Sequence, residues 1–221
     1  MAPRSSTLPP RAPKLDHGEL AEGDSEALRA HYSFDQQRFS GVDLGGRDLS
    51  GITLEGCDFD GLQAHETMLR AATFTDTAIA RLNAPVLIAA RLSLRDVTID
   101  GSRLGSAELY EAAFASVSIT GSKLGFVNLR TSTLADVLFT DCTIDELDVS
   151  GSKVTRMAFR GTTIGTLDLT NSTLAHVDLR GAEISRIIGL PGLRSATVSP
   201  HQLYDLAPLF ADHFGLVVEE G

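Results

Sequence analysis

The sequence predicts an all-β protein, a four-sided parallel β-helix in which short strands coil into a rod, ended by a short C-terminal helical cap. Three observations predict it. Every fifth residue from Phe34 to Ile184, 31 positions, is Leu, Ile, Val or Phe except Ala64, Ala84 and Ala89, and the phase never slips. The residues two places before these positions alternate large and small along the second half of the chain. Aromatics make up only 6% of the 221 residues, with no Trp, so the core is built from aliphatic side chains rather than ring systems.

A period of five suits neither regular element. In a strand, residues five apart point to opposite faces, and in a helix they lie about 140° apart. One inward residue in every five requires the chain to turn a corner in each repeat, which winds it into a solenoid. The alternation sets the number of sides. With the central residue called i, position i−2 reads Val117, Ser122, Val127, Ser132, Val137, Cys142, Leu147, Ser152, Met157, Thr162, Leu167, Ser172, Val177, Ala182. A solenoid packs best with like stacked on like. Three sides would set large on small, whereas four place large residues on two faces and small ones on the other two. The coil therefore has twenty residues. Gly recurs at i+2, as at Gly41, Gly101, Gly121 and Gly161, where the chain needs a tight corner. Asp or Asn recurs at i−1, as at Asp43, Asp58, Asn128, Asp168 and Asp178, a position expected to face outward.

These features carry a family resemblance. The segments VDLGG (42–46), CDFDG (57–61), VNLRT (127–131), LDLTN (167–171) and VDLRG (177–181) resemble the A(D/N)LXX motif of pentapeptide-repeat proteins. The resemblance implies a right-handed quadrilateral β-helix. Its departures are the bulky i−2 residues on two faces, where the family prefers Ala or Cys. Thirty-one repeats at four per coil give just under eight coils over residues 34–188, and a rod roughly 37 Å long at about 4.8 Å per coil.

An open solenoid exposes its core and unpaired backbone at both ends, so it needs caps. Residues 1–15, rich in Pro, Arg and Ser, are expected to form a disordered tail, and 16–33 an N-terminal cap with a short helix from Ser25 to His31. Residues 189–221 are expected to form a C-terminal cap. Ser199-Pro200 starts a helix, Leu203, Leu206, Ala207, Phe210 and Phe214 follow at helical spacing, and Gly215 ends it. Pro208 inside predicts a kink or two short helices. This ending resembles that of quinolone-resistance pentapeptide-repeat proteins, which implies a homodimer through Leu203, Leu206, Phe210 and Phe214; a simple monomeric cap is the alternative. Segment 81–91 keeps phase with Ala84 and Ala89 at its centres and is expected to repack around Leu82 and Leu87, or else to bulge outward.

Chemistry is sparse. The six His have no ligand spacing to one another or to the two Cys, so neither a metal nor another cofactor is expected. Cys57 and Cys142 fall at the inward i−2 position and are expected to be buried, unreactive thiols. No nucleophile elbow, phosphate loop or dinucleotide fingerprint occurs, and a filled solenoid offers no interior pocket, so neither an enzyme nor a small-molecule substrate is expected. The first thirty residues hold no apolar run and no stretch of 18 apolar residues occurs, so a cytoplasmic protein without a membrane span is expected.

Charge is the remaining signal. Nineteen basic against 29 acidic residues, a net −10, argues against direct nucleic-acid binding and for a protein partner with a basic surface. The resemblance to quinolone-resistance members implies binding to DNA gyrase or another type II topoisomerase as an acidic mimic of duplex DNA; a structural scaffold without topoisomerase activity is the alternative. Sorted by face, the acids form no stripe along the rod. Along the axis they form two belts: Asp43, Asp48, Glu55, Asp58, Asp60 and Glu66, opposed only by Arg47, and Asp136, Asp141, Asp145, Glu146 and Asp148, with no base between 131 and 152. A second candidate surface is apolar. Met68 and Ile88, twenty apart at i−1, and Val86 and Phe126, forty apart at i+2, are expected to gather at one corner.

Overall fold

The computed structural model describes residues 7–219. Short strands wind into a four-sided rod, and every strand pairing is parallel. One ladder stacks Thr73–Ala80, Ser93–Asp100, Ala113–Thr120, Thr133–Thr140 and Lys153–Arg160; the other stacks Asn83–Ile88, Arg103–Glu108, Lys123–Asn128, Thr143–Asp148 and Thr162–Asp168. The register is +20 from Ser33↔Thr53 through Asp168↔Ile188. The five-residue period and the four sides therefore hold. The end segments add to the winding: Ala21–Glu22 pairs with Gln37–Arg38, and Ala196–Thr197 pairs with Val177–Asp178. The solenoid thus has about nine turns rather than just under eight, roughly 43 Å at about 4.8 Å each.

The core is a set of columns. Phe139 stacks on Phe159 with ring centroids 5.3 Å apart, and Phe39 on Phe59 at 4.8 Å. Leu129, Val149 and Leu169 are buried one coil above another. The 81–91 segment does not bulge: Ala84 and Ala89 are buried with Leu82 and Leu87, and Asn83–Ile88 is a regular strand. A wholly apolar void of about 80 Å³ runs through the first two-thirds of the axis.

The small i−2 residues do more than leave room. At these corners the chain leaves the strand ladder, and its N–H needs another acceptor. The hydroxyl one coil ahead supplies it: Leu82 N donates to Ser102 Oγ at 3.1 Å, Ser102 N to Ser122 Oγ at 3.0 Å, Ala112 N to Ser132 Oγ at 3.0 Å, and Ser132 N to Ser152 Oγ at 2.9 Å. Both cysteines are buried and free, and burial pushes their thiols up.

Three corners are made by residues in the left-handed region along most of the rod, and the fourth only at Gly46 and Glu66. Gly121 and Gly161 take it at φ 58° and 53°. One corner column is almost free of Gly: Asp76, Asp96, Ser116, Asp136, Arg156 and His176 all have φ between 49° and 58°. Asp tolerates this region better than most residues.

The ends correct three expectations. The helix expected at Ser25–His31 is a single 3-10 turn, Ser25–Ala27, capped by Asp24; beyond it Leu28 turns inward and plugs the first coil. Residues 7–15 are not a disordered tail but run along the rod; residues 1–6 of that expected tail lie outside the described residues. The C-terminal helix, Pro200–Phe214, is one helix and not two short ones, opened by the Ser199–Gln202 capping box and closed by left-handed Gly215. Pro208 forfeits only the bond to the Tyr204 carbonyl, on a residue 81% exposed, where water can take its place.

Candidate functional site

The first acidic belt is partly neutralised. Asp43, Asp48, Glu55 and Glu66 are exposed, and the hydrogen bonds from Ser50 hold Asp48 below the usual carboxylate range. Asp58 lies beside Arg38 and His17, and Asp60 pairs with Arg81 from the next coil.

The second belt changes more. Asp148 has no exposed side-chain surface; it takes Arg130 Nε at 2.6 Å and caps Ser150 N at 3.0 Å. Asp136, with 7% of its side chain exposed, takes Arg156 Nε at 2.5 Å and Nη2 at 2.7 Å. The Arg156 guanidinium holds its carboxyl below the usual range. The charge therefore does not stand alone: bases just outside the 131–152 window reach in from neighbouring coils. Asp141 and Asp145 remain exposed, and Glu146 is half-buried.

The apolar corner is assembled as the register requires. Met68 pairs with Ile88, and Val86, Ser106 and Phe126 stand in successive strands. All four apolar side chains are half-buried, and Val86 and Ile88 lie within the regular strand Asn83–Ile88. On the C-terminal helix, Leu206 and Phe210 seal the last coil, while Leu203 and Phe214 face away from it, Phe214 being 71% exposed. Tyr204, Leu216, Val217 and Val218 extend that exposed apolar surface.

Sequence reasoning missed a further surface. The N-terminal arm crosses the coils along the Asp-rich corner, from the C-terminal end of the rod toward its N-terminal end. Leu8 N donates to His176 Nδ1 at 3.3 Å, Arg11 N to Asp136 Oδ1 at 2.9 Å, Lys14 N to Asp96 Oδ1 at 3.1 Å, and Asp16 N to Asp76 Oδ1 at 2.9 Å. His17 anchors the arm, with Nδ1 2.7 Å from Asp58 Oδ1 and Nε2 2.7 Å from the Asp76 carbonyl. Three of the acids, Asp76, Asp96 and Asp136, share one corner column with Ser116, Arg156 and His176, at i+2 of every fourth repeat. Asp at 76, 96 and 136, where other corners use Gly, was the available signal.

Among the described residues, no group of three or more His, Cys, Asp or Glu could hold a metal ion, and no helix is long and apolar enough to cross a membrane.

The pentapeptide repeats family profile matches residues 38–76 with eight copies. No curated protein sequence matches the chain. A solved structure of trypsin-treated QnrB1, a plasmid-mediated fluoroquinolone resistance protein, is similar over 90% of this chain and 96% of its own, at 19% identity and a TM-score of 0.51. HetL, a pentapeptide repeat protein involved in heterocyst differentiation regulation from the cyanobacterium Nostoc sp. strain PCC 7120, matches over 78% of this chain and 90% of its own, at 17% identity and a TM-score of 0.41. At such identities the likeness to QnrB1 is one of fold. The match over 38–76, the period that continues from it to Ile184 and the four-sided coil agree in giving this chain the fold of a pentapeptide-repeat β-helix.

Proposed function

We propose that this rod acts by binding a protein rather than by catalysis, that the partner is DNA gyrase or another type II topoisomerase, and that binding gives tolerance to fluoroquinolones or protection against a gyrase-directed poison. The observation that carries the reading is the placement of exposed carboxylates on a straight rod: Asp43, Asp48, Glu55 and Glu66 near one end, Asp141 and Asp145 about 20 Å further on. The fold-level likeness to a fluoroquinolone resistance protein supports the choice of partner. Residues 34–188 carry 20 acids and 14 bases. A duplex as long as the rod carries a charge about every 1.7 Å, so the acids imitate DNA by position and not by total charge.

In the same proposal the protein is a cytoplasmic homodimer. Leu203, Phe214 and Leu216–Val218 meet their copies across a two-fold axis, because an exposed apolar set of this size is unusual on a monomer. A scaffold without topoisomerase activity is the second reading, favoured by the half-buried Met68, Val86, Ile88 and Phe126 corner, which suits a protein partner of any kind. A gyrase supercoiling assay with the purified protein, with and without a fluoroquinolone, separates the two. The topoisomerase reading requires a change in supercoiling or in drug-stabilised cleavage; no effect at micromolar protein rejects it.

A further inference from the structure

The arm and the corner beneath it share a repeat. Lys14, Arg11 and Leu8 are three residues apart, and their acceptors Asp96, Asp136 and His176 are two coils apart. Three residues of a polyproline II helix rise about 9.3 Å. Two coils rise about 9.6 Å. The two lattices thus stay in step for the length of the contact.

Burial along the arm has the same period: Thr7, Pro10 and Pro13 are half-buried, and the two residues between each are exposed. A threefold pattern marks polyproline II rather than a strand, whose period is two. The composition follows it. Each third residue offers its N–H to the rod, and three of the four positions between those donors are prolines, Pro9, Pro10 and Pro13, which have none to offer. The Arg11 and Lys14 side chains are exposed beside a corner of carboxylates. Asp136, at the centre, is held in place by Arg156 before any peptide arrives.

We infer that the Asp96–Asp136–His176 corner is a recognition track for polyproline II segments, with the chain's own arm as its resident ligand. The partner it takes in trans is a proline-rich, basic stretch of another protein with a main-chain N–H at every third residue, and that stretch docks by displacing the arm. The recognition reads main-chain register and positive charge, and it stands whether or not a topoisomerase binds elsewhere on the rod.

Two measurements on the full chain test this. The first is amide hydrogen exchange by NMR. The Arg11 and Lys14 amides exchange at least tenfold slower than those of Ala12 and Leu15; equal exchange across the four overturns the register. The second is fluorescence anisotropy with a labelled peptide of residues 7–18 as probe. Arg11→Pro/Lys14→Pro in the full chain preserves the polyproline II preference of the arm but deletes two donors, so it frees the track. It binds the probe at least tenfold tighter than the wild type does, while Ala12→Pro, at a position that donates nothing, behaves as wild type. A probe carrying the same two prolines does not bind. Arg11→Gln/Lys14→Gln, which keeps both donors, releases the arm less than the proline pair. These substitutions touch no core residue, so unchanged melting confirms an intact rod. Probe binding that is absent from the proline variant, or equal in wild type and variant, or retained by the proline-substituted probe, overturns the proposal.

Discussion

Ser122→Ala tests whether the hydroxyl ladder holds the corners. Ser122 is buried; its Oγ accepts Ser102 N at 3.0 Å and donates to the Thr120 carbonyl at 2.9 Å. Ser102 lies between the strands that end at Asp100 and begin at Arg103, and its N–H has no other acceptor among the described residues. Alanine leaves that N–H buried and unpaired, a cost of about 1–3 kcal/mol, offset in part because the hydroxyl no longer has to be desolvated. A net loss of about 1–2 kcal/mol is expected. With a urea slope of about 2 kcal/mol/M this lowers the unfolding midpoint by roughly 0.5–1 M. Two controls isolate the cause. Ser118, half-buried in a strand with no side-chain hydrogen bond among the described residues, changes stability by less than about 0.5 kcal/mol when replaced by Ala. Ser122→Thr keeps the acceptor and stays near wild type, since Thr162 already serves this column two coils on, its Oγ1 taking Cys142 N at 3.4 Å. Urea denaturation followed by circular dichroism reads all three. If Ser122→Ala unfolds with the wild type, or Ser122→Thr falls as far as Ser122→Ala, the hydroxyl is not what satisfies the corner.

Further outcomes are expected. Phe139→Ala, at a side chain 1% exposed and stacked on Phe159, costs about 3–5 kcal/mol in the same denaturation assay. Asp136 has a folded pKa below its unfolded value, so its ion pair contributes fully above about pH 4 and is lost as pH falls through the lower folded value. Thermal melts from about pH 5 to pH 2 show this acid-side loss, and Asp136→Asn removes that part of it. Phe214→Asp converts the proposed dimer to a monomer in light scattering with little change in melting temperature, because the side chain is 71% exposed. Phe126→Asp leaves the melting temperature nearly unchanged, and a large loss of stability instead identifies Phe126 as core.

What the sequence disclosed, and what it hid, follows from which interactions repeat. The core columns were legible because each coil poses the same packing problem. Leu, Ile, Val and Phe at every fifth position answer it, and the paired Phe139 and Phe159 fall out of a twenty-residue count. Asp148 and Asp136 were misread for the opposite reason. Counting charge along the chain ignores that position 136 touches 156 across a coil, and that Arg130 lies beside Asp148. The arm was hidden by its composition. Pro, Arg and Ser describe a chain that cannot form a core of its own, and they say nothing about a ladder of carboxylates that can hold it straight. The Ser, Cys and Thr at i−2 were visible as small residues, but their hydrogen bonds appear only once the corner N–H is seen to lack a strand partner.

The unbroken +20 register sets how this molecule can change in length. Twenty residues added to the rod insert a whole coil and leave every later side chain facing as before. Five residues insert one side and rotate everything beyond them by a quarter turn. The orientation of the C-terminal helix about the rod relative to the docked arm is therefore set in steps of about 90°, and one pentapeptide gained or lost moves the helix from one side of the rod to the next. A single-residue change has no such outlet: it throws all later core positions out of the lumen. Lineages of this chain can lengthen, shorten and turn in discrete steps, with no intermediate form that keeps a core.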